Sequence, residues 1–310
     1  STKGRTNMNE LNCTPSQEQA EYFQNSVIRD REGNLLVCKH GTKGELYNEV
    51  GFDKLGTQGG SGYGPFFYAS DSVSEAGKYC HDDPSHMMAV FMDIKNPLDA
   101  HACGTISDEQ FAEILKKVDP EEKLGRSMKD EIRYKEKERL YPDKGPSAPS
   151  GIIPMDYQPP KKAFLDYLPF NDTRQDEVRA VYDIFYAQKN LPQDVEKLKL
   201  LHDALKEVKP DLSAVDWNRA IMKVTGYDGF VKGEFTQVGA FFPEQIKAVN
   251  NYHPKRDNQI FGDAPIKSVE ELATEQAERS ATRQRERENE PEREVAQERK
   301  PARSYDECER

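Results

Sequence analysis

The residues best equipped for chemistry are His40, Gly41 and Thr42, which close the strand-length run Leu35-Leu36-Val37-Cys38-Lys39. A run of this kind that stops in His-Gly-Thr delivers an imidazole and a glycine backbone to a strand edge. A second, aromatic strand, Phe66-Phe67-Tyr68-Ala69-Ser70-Asp71, supplies a phenol, and Ala76-x-x-Tyr79 supplies another from a short helix. Near pH 7 imidazole is both donor and acceptor, glycine permits close approach to its backbone, and aromatic faces attract cations. Together these groups suit the grip of a flat, positively charged ring.

The elements that must position them are legible as pattern. Thr14-Pro15-Ser16-Gln17 combines an N-cap residue, proline at the first helical position and glutamine at the third. It predicts a helix of roughly ten residues with Ala20 and Phe23 inward. Arg31-Glu32-Gly33-Asn34 is a turn into the first strand, Leu35 to Lys39. Gly56, Gly59, Gly60, Gly62 and Gly64 make the segment from Phe52 to Gly64 a loop, suited either to close backbone approach to a ligand or to simple flexibility. A short helix follows from about Ser74 to Cys80. Met88 to Ile94 reads as a strand buried on both faces, ended by Lys95-Asn96-Pro97-Leu98.

Farther along, Ser107-Asp108-Glu109-Gln110 is a second capping box, with Phe111, Ile114, Leu115 and Val118 at helical spacing. Residues 120–145 are charged and 142–160 rich in proline, a linker or extended arm. Three amphipathic helices then center on Val178 to Tyr186, Val195 to Leu205 and Trp217 to Val224. Tyr227 to Val231 returns to strands, and Gln237 to Phe242 is the last strong one. The expected organization is a flexible N-terminus at 1–13, a domain over 14–263 with a helical and proline-rich insertion at about 104–213, and a charged, disordered or helical tail at 264–310.

Composition narrows the function. The net charge of −11 with 32% charged residues argues against a general nucleic-acid surface, though not against a local basic patch. Five cysteines, without a CxxC pair, read as reduced thiols. No apolar run approaches the roughly 18 residues of a membrane span. The N-terminal Lys3, Arg5, Asn9 and Glu10 form no signal-peptide apolar region. A cytoplasmic protein without membrane contact is expected, or one delivered into a host or target cell by another route or within a larger polypeptide.

His40-Gly41, Tyr68 with Tyr79, and the run Phe241-x-Pro243-x-Gln245-Ile246-Lys247 resemble the His-Tyr-Glu ADP-ribosyltransferases of the diphtheria-toxin and poly-ADP-ribose-polymerase type. More closely, they resemble the ADP-ribosyltransferase-like domain of phage and mobile-element polyvalent proteins. The resemblance covers about 14–103 and 214–260 and implies an α+β fold, a split β-sandwich with a helical insertion. It further implies NAD as cofactor, without metal, and an effector-like or toxin-like transferase acting on a protein acceptor, or on a nucleic acid. In that family the histidine bonds a ribose hydroxyl, the glycine backbone meets the carboxamide and two tyrosines sandwich nicotinamide, which implies cofactor binding by His40, Gly41, Thr42, Tyr68 and Tyr79. Tyr68 fits the first tyrosine, with Phe67 as the alternative register. The family's catalytic glutamate falls at Gln237 here, with Glu234 as a substitute if its loop folds back. Phe235, where arginine-modifying relatives carry an acid or amide, gives no sign of an arginine target.

Other chemistries fit less well. Cys80-His81-Asp82-Asp83 with His86, and His101 with Cys103, match no standard zinc spacing. The glycines before Phe66 lead into a strand rather than a helix, unlike a phosphate-binding loop. A degenerate transferase fold remains the alternative. It would serve as a binding or structural module whose helical insert and charged tail contact partner proteins.

Overall fold

The computed structural model describes residues 11, 13–51, 55, 63–121 and 193–289. Outside them lie the glycines from 56 to 62, the proline-rich 142–160, the expected helix around Val178 to Tyr186, and the tail beyond 289. The chain is mixed α and β, with two sheets and several helices.

Helix α1 (Gln17–Tyr22) leads to β1 (Cys38–Gly41), β2 (Phe67–Ala69), α2 (Val73–Gly77), β3 (Met87–Met92), β4 (Pro97–Asp99) and α3 (Asp108–Val118). After residue 193 come α4 (Asp194–Val208), α5 (Ala214–Thr225), β5 (Gly229–Lys232), β6 (Gln237–Ala240), β7 (Ile246–Ala248) and α6 (Val269–Asn289). One sheet has the order β1-β3-β7, antiparallel throughout. The other runs β2-β6-β5-β4, with β4 parallel to β5 and the remaining pairs antiparallel. No helix among the described residues is long and apolar enough to cross a membrane.

Strand β3 is buried at every position, as its unbroken apolar run requires. Met88, Val90 and Met92 enter the main core, while Met87, Ala89 and Phe91 enter a smaller one on the opposite face. That split follows from the two-residue period of a strand. Phe23 and the start of α6, through Val269 and Ala273, close the smaller core. The later turns of α6 are exposed, in keeping with their Glu and Arg runs. Helices α3, α4 and α5 share the main core with both sheets through Phe111, Leu115, Leu198, Leu201 and Trp217.

Several elements depart from the sequence expectation. The first helix caps on Ser16, not Thr14, because Ser16 and Gln19 form the reciprocal capping box, and it has 6 residues. That shift buries Gln19, whose amide donates to the carbonyls of Val249 and Asn251, and leaves Ala20 exposed. The first strand does not stop at Lys39. His40 and Gly41 pair with Met88 and Met87, so both chemical residues lie inside β1. Two three-residue strands, β4 and β7, were not anticipated. Each is held by long-range pairing, with β5 and β3 respectively.

Phe241 to Lys247 proves to be a clasp. The Gln245 side chain accepts from the backbone amides of Phe241 and Phe242 at 2.9 and 2.8 Å, and donates to the carbonyls of Asp93 and Asp228, both at 2.9 Å. It thereby ties the end of β3 to the entry of β5 and the exit of β6. Lys247 is fully buried, and its ammonium donates to the carbonyls of Asp257 and Gln259 and to the Asp257 carboxylate. Burial lowers its pKa, and the Asp257 contact opposes that effect.

Replacing Gln245 by leucine keeps the bulk but orphans two buried amide donors, at about 1 to 3 kcal/mol each. Urea denaturation of Gln245→Leu should register a loss of about 3 kcal/mol or more. An unchanged midpoint would remove Gln245 from its place as the clasp.

Candidate active site

One backbone bridge brings the site together. Lys39 and Ser70 exchange amide-to-carbonyl hydrogen bonds of 2.6 and 2.9 Å, joining β1 to the residue after β2. His40 follows Lys39, and Tyr68 lies two residues before Ser70. Gln237 opens β6, the neighbor of β2, and Tyr79 follows α2. His40, Gly41, Thr42, Tyr68, Tyr79 and Gln237 therefore line a single cleft of about 280 Å³.

His40 is held in one protonation form. Its Nδ1 lies 2.5 Å from the Tyr68 carbonyl, and its Nε2 lies 3.1 Å from the Tyr47 hydroxyl. A carbonyl only accepts, so Nδ1 carries the proton and Nε2 accepts from Tyr47. The ring stacks on Phe67 with centroids 4.1 Å apart. Burial brings its pKa down to about 4, with the Tyr68 carbonyl opposing, and the imidazole is neutral at pH 7.

The two aromatic neighbors in β2 divide the work as a strand's alternation demands. Phe67 gives its ring to His40, whereas the Tyr68 ring packs against Phe230 and Phe66. The Tyr68 hydroxyl donates to the Gly64 carbonyl at 2.7 Å and accepts from the Tyr63 amide. Burial raises the Tyr68 pKa, the backbone contacts with Tyr63 and Gly64 oppose that rise, and the Tyr79 phenol adds to it.

Gly41 is fixed by packing. A Cβ there would lie 2.2 Å from the carbonyl oxygen of Ala76 in α2. The Thr42 hydroxyl lies 2.6 Å from the Gly44 carbonyl and 3.1 Å from that of His86, and the Thr42 amide donates to His86 as well. Thr42 thus shapes the turn leaving β1.

Glu234 stands elsewhere. It sits in the turn between β5 and β6, 82% exposed, and pairs with the equally exposed Arg31 at 2.5 Å. Its neighbor Phe235 has φ +66°, and its carbonyl accepts from the Asp71 amide. The cleft also contains groups that the sequence reading passed over. Tyr47, Ser70 and Glu75 line it, as does buried Lys39, whose ammonium donates to the Asp71 carbonyl at 2.7 Å. Tyr47 lies seven residues beyond His40, and only the chain's reversal after β1 brings it back. Glu75 had a visible signal, its place in the short helix four residues before Tyr79.

Two outcomes follow. Because native His40 refuses the proton that the unfolded chain accepts below its ordinary 6.5, stability should fall as pH drops from about 6.5 to about 4 and level off below, by at most about 3 kcal/mol. Urea midpoints across that range should show the slope in the native protein and a flatter one in His40→Gln; equal slopes would refute the assignment. Gly41→Ala must push α2 off β1 and should cost about 1 to 3 kcal/mol, read as a lower thermal midpoint.

A family model described as ADP-ribosyltransferase in polyvalent proteins matches residues 30–256, a span that holds every strand of both sheets and the whole lining of the cleft. No curated protein and no solved structure matches the chain. With well over half its length under that match, and with the histidine and both tyrosines lining one cleft, the chain belongs to the ADP-ribosyltransferase family of polyvalent proteins.

Proposed function

We propose that this chain transfers ADP-ribose from NAD to a macromolecular acceptor. The observation that carries the reading is the shared cleft: the imidazole, the glycine of β1, both tyrosines and Gln237 border one cavity. On this reading residues 14–263 form one domain of split-sandwich type with its helical insertion at about 104–213. The two sheets, joined by the bridge at Lys39 and Ser70, support that description.

NAD supplies a ribose bonded to a pyridinium that departs as neutral nicotinamide, so positive charge gathers on the sugar. Tyr68 and Tyr79 hold the pyridinium between aromatic faces, an attraction of about 0.5 to 2 kcal/mol. The Gly41 backbone meets the carboxamide. Neutral His40 offers the Nε2 lone pair to a ribose hydroxyl, which takes the place of the Tyr47 hydroxyl. Gln237 bonds a second ribose hydroxyl through its amide. These contacts orient the ribose and keep the dissociating bond in a cleft with few competing waters.

The acceptor is a protein, or failing that a nucleic acid, and the activity suits an effector carried by a phage or mobile element and working in the cytoplasm of the cell it enters. The charged helix α6 and the insertion are the surfaces from which a protein partner would be chosen. A second reading rests on one residue. Gln237 is a neutral amide where a full negative charge would favor the reaction, and this supports a catalytically weak or degenerate fold that serves as a binding module.

Incubation with labeled NAD separates the two. The transferase reading expects release of nicotinamide or labeling of protein, abolished by His40→Ala, together with a rise in thermal midpoint when NAD is added. No turnover and no thermal shift would leave the binding module standing.

A further inference from the structure

If Gln237 cannot stabilize the growing charge, a carboxylate should stand elsewhere in the cleft. Glu234 does not serve, since it lies outside the lining and is paired with Arg31 at the surface. The described residues that line the cleft include three glutamates, Glu45, Glu49 and Glu75. Glu45 and Glu49 are exposed, and Glu49 accepts from the Asn258 amide at 2.7 Å. Glu75 is the half-buried one, with a side chain 38% exposed.

Its position within α2 is specific. The next residue, Ala76, presses its carbonyl against Gly41, and Tyr79, in the turn that follows α2, lines the same cleft. Glu75 therefore sits between the strand carrying His40 and the phenol that would support the pyridinium. One carboxylate oxygen contacts Lys78 at 2.6 Å, an exposed pair of the kind that contributes little and yields readily.

Resting on the transferase reading, we infer that Glu75 is a catalytic residue that supplies the negative charge absent at position 237. Its carboxylate faces the ribose as the bond from C1′ to the ring nitrogen breaks and the electron pair leaves with nicotinamide. The acceptor's nucleophilic atom then bonds to C1′, and its proton passes to solvent. The carboxylate is not consumed; its charge stabilizes the sugar cation. A charge already fixed in the cleft needs no reorganization at that moment.

The test measures nicotinamide release by the full chain and by Glu75→Gln. The expected result is a fall in kcat of about a hundredfold with KM little changed, as for loss of one preorganized group acting in the transition state. The variant should keep the NAD-induced thermal shift, so that the loss falls on turnover and not on binding. Adding Gln237→Glu to Glu75→Gln should restore much of the rate by returning a carboxylate to the cleft. Native turnover with an unchanged rate in Glu75→Gln would overturn this inference and leave the transferase intact. Absence of turnover in the native chain would overturn both.

Discussion

The site depends on the two-way hydrogen bond between Lys39 and Ser70. Among the described residues it is the one bridge between sheets that otherwise pair within themselves. Because it sets the register of β1 against β2, the His40 imidazole reaches the Tyr68 carbonyl and stacks on Phe67. The tautomer of His40 is therefore a consequence of backbone geometry. The low pKa follows from the burial that the same junction imposes. A side chain can carry chemistry at this junction only because two strands from different sheets are locked there.

The most family-specific run of the sequence turns out to have a structural task. Phe241 stacks on Phe66 at 4.7 Å, Pro243 begins a short 3₁₀ turn, Gln245 satisfies four backbone groups and Lys247 gathers the loop at 255–259. None of these four side chains lines the cleft. Their service is to fix β6 and β7, and with β6 the position of Gln237. A motif can thus identify a family through the residues that brace its site rather than through those that touch a ligand.

What the sequence made legible is what is local. The apolar run of β3, the capping box at Ser107 and Gln110, and the periodicity of α3, α4 and α5 each carry their own signal and appear where expected. Strands β4 and β7 carry none, since three residues have no periodicity and their pairing partners are distant in the chain. Near the N-terminus the local signal was ambiguous, as Thr14 and Ser16 are both good caps. Ser16 prevails because Gln19 reciprocates and finds buried carbonyls across the fold. At the cleft, residue types pointed to His40 and the tyrosines. The surface position of Glu234 depended on how a turn folds, and the nearness of Tyr47 on where the chain doubles back.

The contact between Gly41 and Ala76 has a broader consequence. With main chain pressed on main chain, the spacing between the imidazole-bearing strand and the helix leading to Tyr79 is set without any side chain intervening. Residues 40 and 79 are thereby free to vary in chemistry while the gap between their supports stays constant. A scaffold of this kind can change what it recognizes without having to rebuild the jaw that holds it.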